Sequence, residues 1–161
     1  MKKLSLLFLS LVTCLSSLLT GCVSATSKPV VAVPTAQSIA QFVTPMAQAA
    51  VPLVLEKNPS YAPAIDILAD SIPVLLGSGN LTPEGITAAL NTLNAKASLA
   101  LSPDAIAFVA NGLSISISQY EATYGLKVST ATDPGVQIIL AAFSTGLKNG
   151  VATWKTAHPS P

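Results

Sequence analysis

Nucleophilic catalysis by Ser or Cys needs a base within hydrogen-bond reach, and this chain has one imidazole, His158, in the tail Ala157-His158-Pro159-Ser160-Pro161. A chain end does not hold a group to the tolerance that catalysis demands, so no catalytic residue is assigned. Zinc takes several His or Cys ligands at defined spacing, whereas the cysteines are Cys14 and Cys22 alone. No run of alternating carboxylates around a Gly suggests a calcium loop either, and neither a metal nor a cofactor is expected. Asp66 and Asp70 are four apart on one helical face. Such a pair could do acid–base work or hold a cation, but it reads first as two like charges on a solvated face. Gly77-Ser78-Gly79-Asn80 is too short for a phosphate loop and has no following Lys, which makes it a helix-ending turn. Tyr120 and Tyr124 are also four apart. They could line a ligand slot or a partner surface, or they could close one end of a core with their hydroxyls at the water edge.

Composition narrows the field further. Of 161 residues, 50% are hydrophobic and 9% charged, with 8 Lys, no Arg and 7 acids. A nucleic-acid-binding face needs clustered basic side chains to displace counterions, and none is present. The apolar fraction is too high for a disordered chain, and no apolar run reaches the 18 or more residues of an ordinary membrane span.

At the N-terminus, Met1-Lys2-Lys3 is a short basic start. An apolar stretch from Leu4 to Leu19 follows, ending in Thr20-Gly21-Cys22. This is the layout of a secretory signal. Leu19, Thr20, Gly21 and Cys22 resemble the lipobox of bacterial lipoproteins at all four positions: a Leu, two small residues that let a peptidase approach the backbone, and the Cys. The resemblance covers residues 1–22. It implies that these four residues are read by the signal peptidase, that residues 1–21 are removed, and that Cys22 carries a diacylglyceryl group and an acylated amino group. It also implies the outer membrane, facing the periplasm, in a host with two membranes, because Val23 and Ser24 stand where retained lipoproteins have Asp. After the cut the 140 remaining residues carry six Lys and seven acids, net −1. Cys22 is then the only thiol and would be occupied by lipid, so no disulfide braces the fold.

Residues 22–34, with small side chains and two prolines, read as a tether. The domain expected beyond it, 35–158, is all-α, a compact bundle of about five helices near 35–57, 59–77, 82–95, 102–125 and 133–156. Four capping residues followed by Pro mark helix starts: Asn58-Pro59, Thr82-Pro83, Ser102-Pro103 and Asp133-Pro134. Behind them run apolar stripes at helical period, such as Ile106, Val109, Ala110, Leu113, Ile117, Tyr120 and Tyr124 in one segment, and Val136, Ile139, Leu140, Phe143, Leu147, Val151 and Trp154 in the last. In the first segment Ile39, Phe42, Val43, Met46, Ala50, Val51 and Val54 are placed on one inward side. Pro45 and Pro52 interrupt that segment, so a kink or two pieces is expected there, and a kink near Pro73. Leu113 to Ser118 alternates with period two and could be a strand, but the longer helical match outweighs it. Residues 81–93 and 101–113 echo each other, mostly at positions any capped amphipathic helix needs, and two copies are too few for a stacked repeat.

The function expected is that of a non-enzymatic, lipid-anchored envelope protein acting as a structural or interaction module, with the membrane and a protein of unspecified identity as partners. The alternative is a binder of apolar small molecules or lipid in a slot between helices. Insertion of the first helix into a membrane and hydrolysis rank below these. A module should expose an apolar patch, a carrier should enclose a pocket of several hundred Å³, and an inserting protein should leave its first helix unpacked. An enzyme should gather polar groups in a cleft.

Overall fold

Three of the four cap–proline pairs open an α-helix. The Thr82 Oγ1 accepts from the Gly85 N–H at 3.2 Å and the Ser102 Oγ from the Ala105 N–H at 3.2 Å. Asp133 Oδ1 accepts from the N–H groups of Gly135 at 2.7 Å and Val136 at 3.3 Å. Each side chain replaces an intrahelical acceptor that the first turn lacks. Asn58 differs: its side chain makes no capping bond, and Pro59–Tyr61 forms only a 3₁₀ turn before the next helix. The computed structural model describes residues 36–77, 81–125, 127–128 and 133–159. Among them are five α-helices and no strand: α1 Ala36–Leu55, α2 Ala62–Leu76, α3 Pro83–Lys96, α4 Pro103–Tyr124 and α5 Pro134–Ala157. The all-α bundle follows the sequence pattern closely, and the alternating stretch Leu113 to Ser118 lies inside α4. The segments 1–21 and 22–34, on which the expected signal and tether fall, lie outside the described residues.

α5 is the axis on which the others pack. Ser144 bonds to Ala69 in α2, and Lys148 and Lys155 pair with Asp70 and Asp66 of the same helix. From Lys148 to Lys155 along α5 the ion-pair partners go back from Asp70 to Asp66 along α2, so the two run antiparallel. The approaches of Phe143 to Gly112 and of Tyr120 to Gly135 make α4 antiparallel to α5 in the same way. Against α1 the order is reversed. Thr44 Oγ1 donates to the Ala142 carbonyl at 3.1 Å, while Gln48 Nε2 donates to Thr153 Oγ1 at 3.4 Å, so α1 and α5 are parallel. The stripes named in α4 and α5 meet in one core around Phe143, Leu113, Ile139, Leu140 and Leu147, all at most 2% exposed.

The α1–α5 contact is made by two glycines one turn apart. A Cβ on Gly146 would stand 2.4 Å from the Thr44 carbonyl oxygen and 2.7 Å from the Ala47 Cβ; one on Gly150 would stand 2.6 Å from the Val51 Cβ and 2.7 Å from the Gln48 carbonyl oxygen. Only hydrogen fits between these backbones. The facing ridge of α1 is Ile39, Val43, Ala47, Val51 and Leu55, all buried and four residues apart, the row that packs into the grooves of a neighbouring helix. Phe42 does not belong to it. Placed inward by the sequence pattern, it is 56% exposed, because a stripe that advances in steps of four turns away from it.

α1 is unbroken through Pro45 and Pro52, and α2 through Pro73. Of the kink or two pieces expected in the first segment, the two-piece form is therefore corrected, and the reason lies in the carbonyls the prolines orphan. A proline deprives the carbonyl four residues earlier of its N–H partner. For Pro73 that carbonyl belongs to Ala69, which is fully buried. The Ser144 hydroxyl donates to it at 2.6 Å. For Pro52 the carbonyl is that of Gln48, against which Gly150 presents a Cα–H, a weaker contact of the kind common at close helix pairs. For Pro45 it is that of Gln41, an exposed residue whose backbone lies at the solvent face of α1.

The turn between α3 and α4 is fixed by one side chain. The Asn94 side chain accepts from the Leu101 N–H at 3.0 Å and donates to the Leu101 carbonyl at 3.2 Å. Within this loop Ser98 and Ala100 take φ of 50° and 56°, left-handed conformations that cost non-glycine residues about 1–2 kcal/mol each. The clamp and the burial of Leu99 and Leu101 offset that strain.

Two outcomes test this packing. Gly150→Ala on an ordinary helix would stabilise by about 1 kcal/mol; here overpacking should reverse the sign and destabilise by about 1–3 kcal/mol, read by thermal melts. Ser144→Ala should cost about 1–3 kcal/mol by leaving the Ala69 carbonyl unpaired. In a Pro73→Ala background, where residue 73 regains its N–H, the same change should cost markedly less, and a double-mutant cycle measures the difference.

Candidate functional site

The residues whose types could do chemistry are mostly engaged with one another. Asp66 and Asp70 share a face of α2 as their spacing implies, but each has a lysine of α5 opposite it. Lys155 Nζ lies 2.8 Å from Asp66 Oδ2, and Lys148 Nζ pairs with Asp70 Oδ1. The lysines are seven residues apart, about two turns of α5, and the acids four, about one turn of α2, so the two long lysine side chains reach two neighbouring turns of α2. All four side chains are well exposed, which limits what each pair contributes to stability to less than about 1 kcal/mol. What the pairs fix is the lateral register of α2 on α5.

Tyr120 and Tyr124 come from the last turns of α4, which ends at Gly125 in the left-handed conformation, φ 63°. Their ring centroids are 4.7 Å apart with planes inclined by 47°. Tyr120 is buried and belongs to the core, and its hydroxyl donates to Asp133 Oδ1 at 2.8 Å. That oxygen is the one that caps α5. The cap, the end of α4 and the start of α5 are therefore held by a single carboxylate. Gly135 is required beside it, since a Cβ there would come within 2.2 Å of the Tyr120 oxygen. Glu121 Oε1 accepts from the Val128 N–H at 2.7 Å and draws the chain after Gly125 back over the same end. Tyr124 remains half-buried at the rim.

The electrostatics follow from that arrangement. Burial, then donation to the Asp133 carboxylate and the proximity of its charge, push the Tyr120 hydroxyl up to about 12. Asp133 is held below the usual carboxylate range, first by the Tyr120 hydroxyl and then by the N–H groups of Gly135 and Val136, against the opposing effect of burial. A phenol kept protonated beside a carboxylate kept ionised is a structural pair; neither is poised to move a proton near neutrality.

At the other end of the bundle, the His158 ring stacks on Trp154, centroids 4.7 Å apart and planes 18° apart, and His158 Nδ1 lies 3.1 Å from the Trp154 carbonyl. His158 is exposed. Trp154 Nε1 is buried without a hydrogen-bond partner. Among the described residues no three His, Cys, Asp or Glu side chains gather. The crevice among Val51, Ile65, Leu101, Phe108 and Leu147 encloses about 10 Å³, room for about one water. Cys22, Leu19, Thr20 and Gly21 lie outside the described residues, as do Ser78 to Asn80 of the glycine-rich turn. Sequence reasoning missed Asp133 as the partner of Tyr120, although its place as a helix cap directly after the α4 segment was the available signal.

The paired groups predict a stability profile with two edges. As pH falls through the range below about 4, the unfolded chain takes up a proton that native Asp133 refuses, and stability drops. Above pH 10 the unfolded chain releases a phenolic proton that Tyr120 retains, and stability drops again. Tyr120→Phe should cost about 1.5 kcal/mol at neutral pH and should flatten the acid edge, read by denaturant titration across pH.

Comparison with known proteins gives no match: no family model, no curated protein and no solved structure aligns with this chain, and its function has to be argued from its own residues.

Proposed function

We propose that this chain is a non-enzymatic lipoprotein, anchored through Cys22, whose helical bundle serves as a structural or interaction module at a cell envelope. The observation that carries the anchor is the ordered series of basic start, apolar core and Leu19-Thr20-Gly21-Cys22. No single position of this series is diagnostic; their order and spacing are. The module reading is supported by what the bundle does with its polar groups: Asp66, Asp70, Lys148 and Lys155 set the register of α2 on α5, and Asp133 and the buried Tyr120 phenol cap and close the α4–α5 end. A carrier would need far more than the crevice beside Phe108 encloses. Although the sequence has no uninterrupted apolar run of 18 residues, α1 is long and apolar enough by length and composition to cross a membrane, with a mean hydropathy of 1.4 over an 18-residue stretch. Its buried ridge, however, is committed to α5 at the two glycines, which weighs against its leaving the bundle to insert.

Two or more acyl chains, at about 0.8 kcal/mol per buried CH₂, hold a protein stably on a bilayer. Placement in the outer membrane, facing the periplasm, is part of the proposal for a host with two membranes, from the absence of Asp after Cys22. Cys22→Ser should abolish incorporation of a labelled fatty-acid precursor and leave the signal peptide attached, giving a heavier band. Normal processing of that variant would refute the anchor. Sedimentation with inner-membrane markers only would refute the placement.

A further inference from the structure

α1 has one face in the core and one in water, and the outer face combines exposed apolar side chains with an absence of charge; α2 also exposes Ile67 and Val74, but on a helix that carries Asp66 and Asp70. Phe42 is 56% exposed and Leu53 51%; eleven residues apart, they lie within about 20° of each other around the helix at 3.6 residues per turn. Pro45 and Ala49, both exposed, and half-buried Pro52 lie along the same strip. Between Ala36 and Leu55 there is no charged residue. α2 carries Asp66 and Asp70, α3 Glu84 and Lys96, α4 Asp104 and Glu121, α5 Lys148 and Lys155. Desolvating any helix but α1 therefore means stripping water from charges, which is costly.

We propose that this outer face of α1 rests on the lipid bilayer, so that the bundle lies against the membrane with α1 along its surface. The proposal depends on the Cys22 anchor. Its argument is the chain between the anchor and the helix: α1 begins 14 residues after Cys22, a span of no more than about 50 Å, and is the first of the described helices. The anchored lipid thus holds α1 by the shortest tether of the described helices, and α1 is the one among them without charges. Docking is peripheral. Leaving the bundle would expose Val43, Ala47 and Val51 and undo the glycine contact, whereas resting on the surface requires only that Phe42 and Leu53 exchange water for the headgroup and acyl boundary. With no Lys or Arg on the strip, attachment draws nothing from anionic lipid.

Single cysteines at Phe42→Cys, Leu53→Cys and, as controls on exposed positions of α3 and α4, Asn91→Cys and Gln119→Cys would be placed in the full chain. Each acylated protein would be purified from membranes, spin-labelled and reconstituted in phosphatidylcholine vesicles. The mature chain has no other free thiol once Cys22 is acylated. All four substitutions are at the surface, and helical circular dichroism checks that each variant folds. Labels at 42 and 53 should show several-fold lower collision with a water-soluble nickel complex, and higher collision with oxygen, than labels at 91 and 119. Adding phosphatidylglycerol should leave these values unchanged. Labels at 42 and 53 as open to nickel as the controls would overturn the docking while leaving the anchor intact. Spin–spin broadening between molecules at 42 or 53 would overturn it in favour of a second copy of this chain on that face. Mass spectrometry of the Cys22 peptide separates the two failures: an unacylated Cys22 removes the anchor, and the docking with it.

Discussion

Everything in this bundle depends on how closely two helix backbones approach at Gly146 and Gly150. Among the described residues five helices follow one another, and with each successive helix reversing direction α1 and α5 run parallel. α1 and α5 are then adjacent at the closing seam, although no turn connects them. Such a seam needs a contact strong enough to hold chain segments about a hundred residues apart without a disulfide. Side chains alone would keep the axes some 8–10 Å apart. Hydrogen at positions 146 and 150 lets the α1 backbone settle onto α5, bringing Thr44 and Gln48 within hydrogen-bond reach of Ala142 and Thr153. Close packing also multiplies dispersion contacts, each small and collectively large.

The same economy governs the prolines. Three sit within helices, where each removes a backbone hydrogen bond, and an uncompensated proline costs about 3 kcal/mol. The structure distributes the orphaned carbonyls by depth. The one fully enclosed, on Ala69, receives a hydroxyl from the neighbouring helix. The one at the seam, on Gln48, faces the Cα–H of a glycine, and the outermost, on Gln41, is at the solvent face. A hydroxyl at position 144 is one of only two buried polar side chains, with Ser116, among the described residues, and its position is explained by a proline 71 residues earlier in the chain.

Much of this architecture was legible in the sequence because its signals are local. A capping residue before Pro acts within three residues, and an apolar stripe of period 3.6 within one helix, so three capped starts, the helix spans and the core positions of α4 and α5 could be read directly. What could not be read depends on pairing. Gly146 and Gly150 are visible as two glycines four apart, yet only the identity of the facing helix turns them into a contact. Phe42 fitted the helical period and still faces water, because the ridge facing α5 repeats every four residues and drifts around α1. Asn58-Pro59 has the chemistry of a helix start and yields only a 3₁₀ turn, since nothing holds the Asn58 side chain over the first turn. Tyr120 was singled out for its ring, but its role is set by Asp133, which the α4–α5 connection brings back to it.

The anchor and the bundle also bear on each other energetically. Fully burying a large apolar side chain yields about 1.5–3 kcal/mol, and Phe42 and Leu53 are already half-covered, so the strip offers a few kcal/mol at most. Free association from solution loses about 4–15 kcal/mol in translational and rotational freedom, more than the strip returns. A domain with this surface, released from its lipid, would have no reason to stay on a bilayer, and its net charge gives no electrostatic help. The proposed tether changes the comparison, because a lipid on Cys22 would make the encounter intramolecular and replace most of that loss by an effective concentration near millimolar. An exposed apolar face too small to bind alone becomes large enough to orient a molecule that is already held.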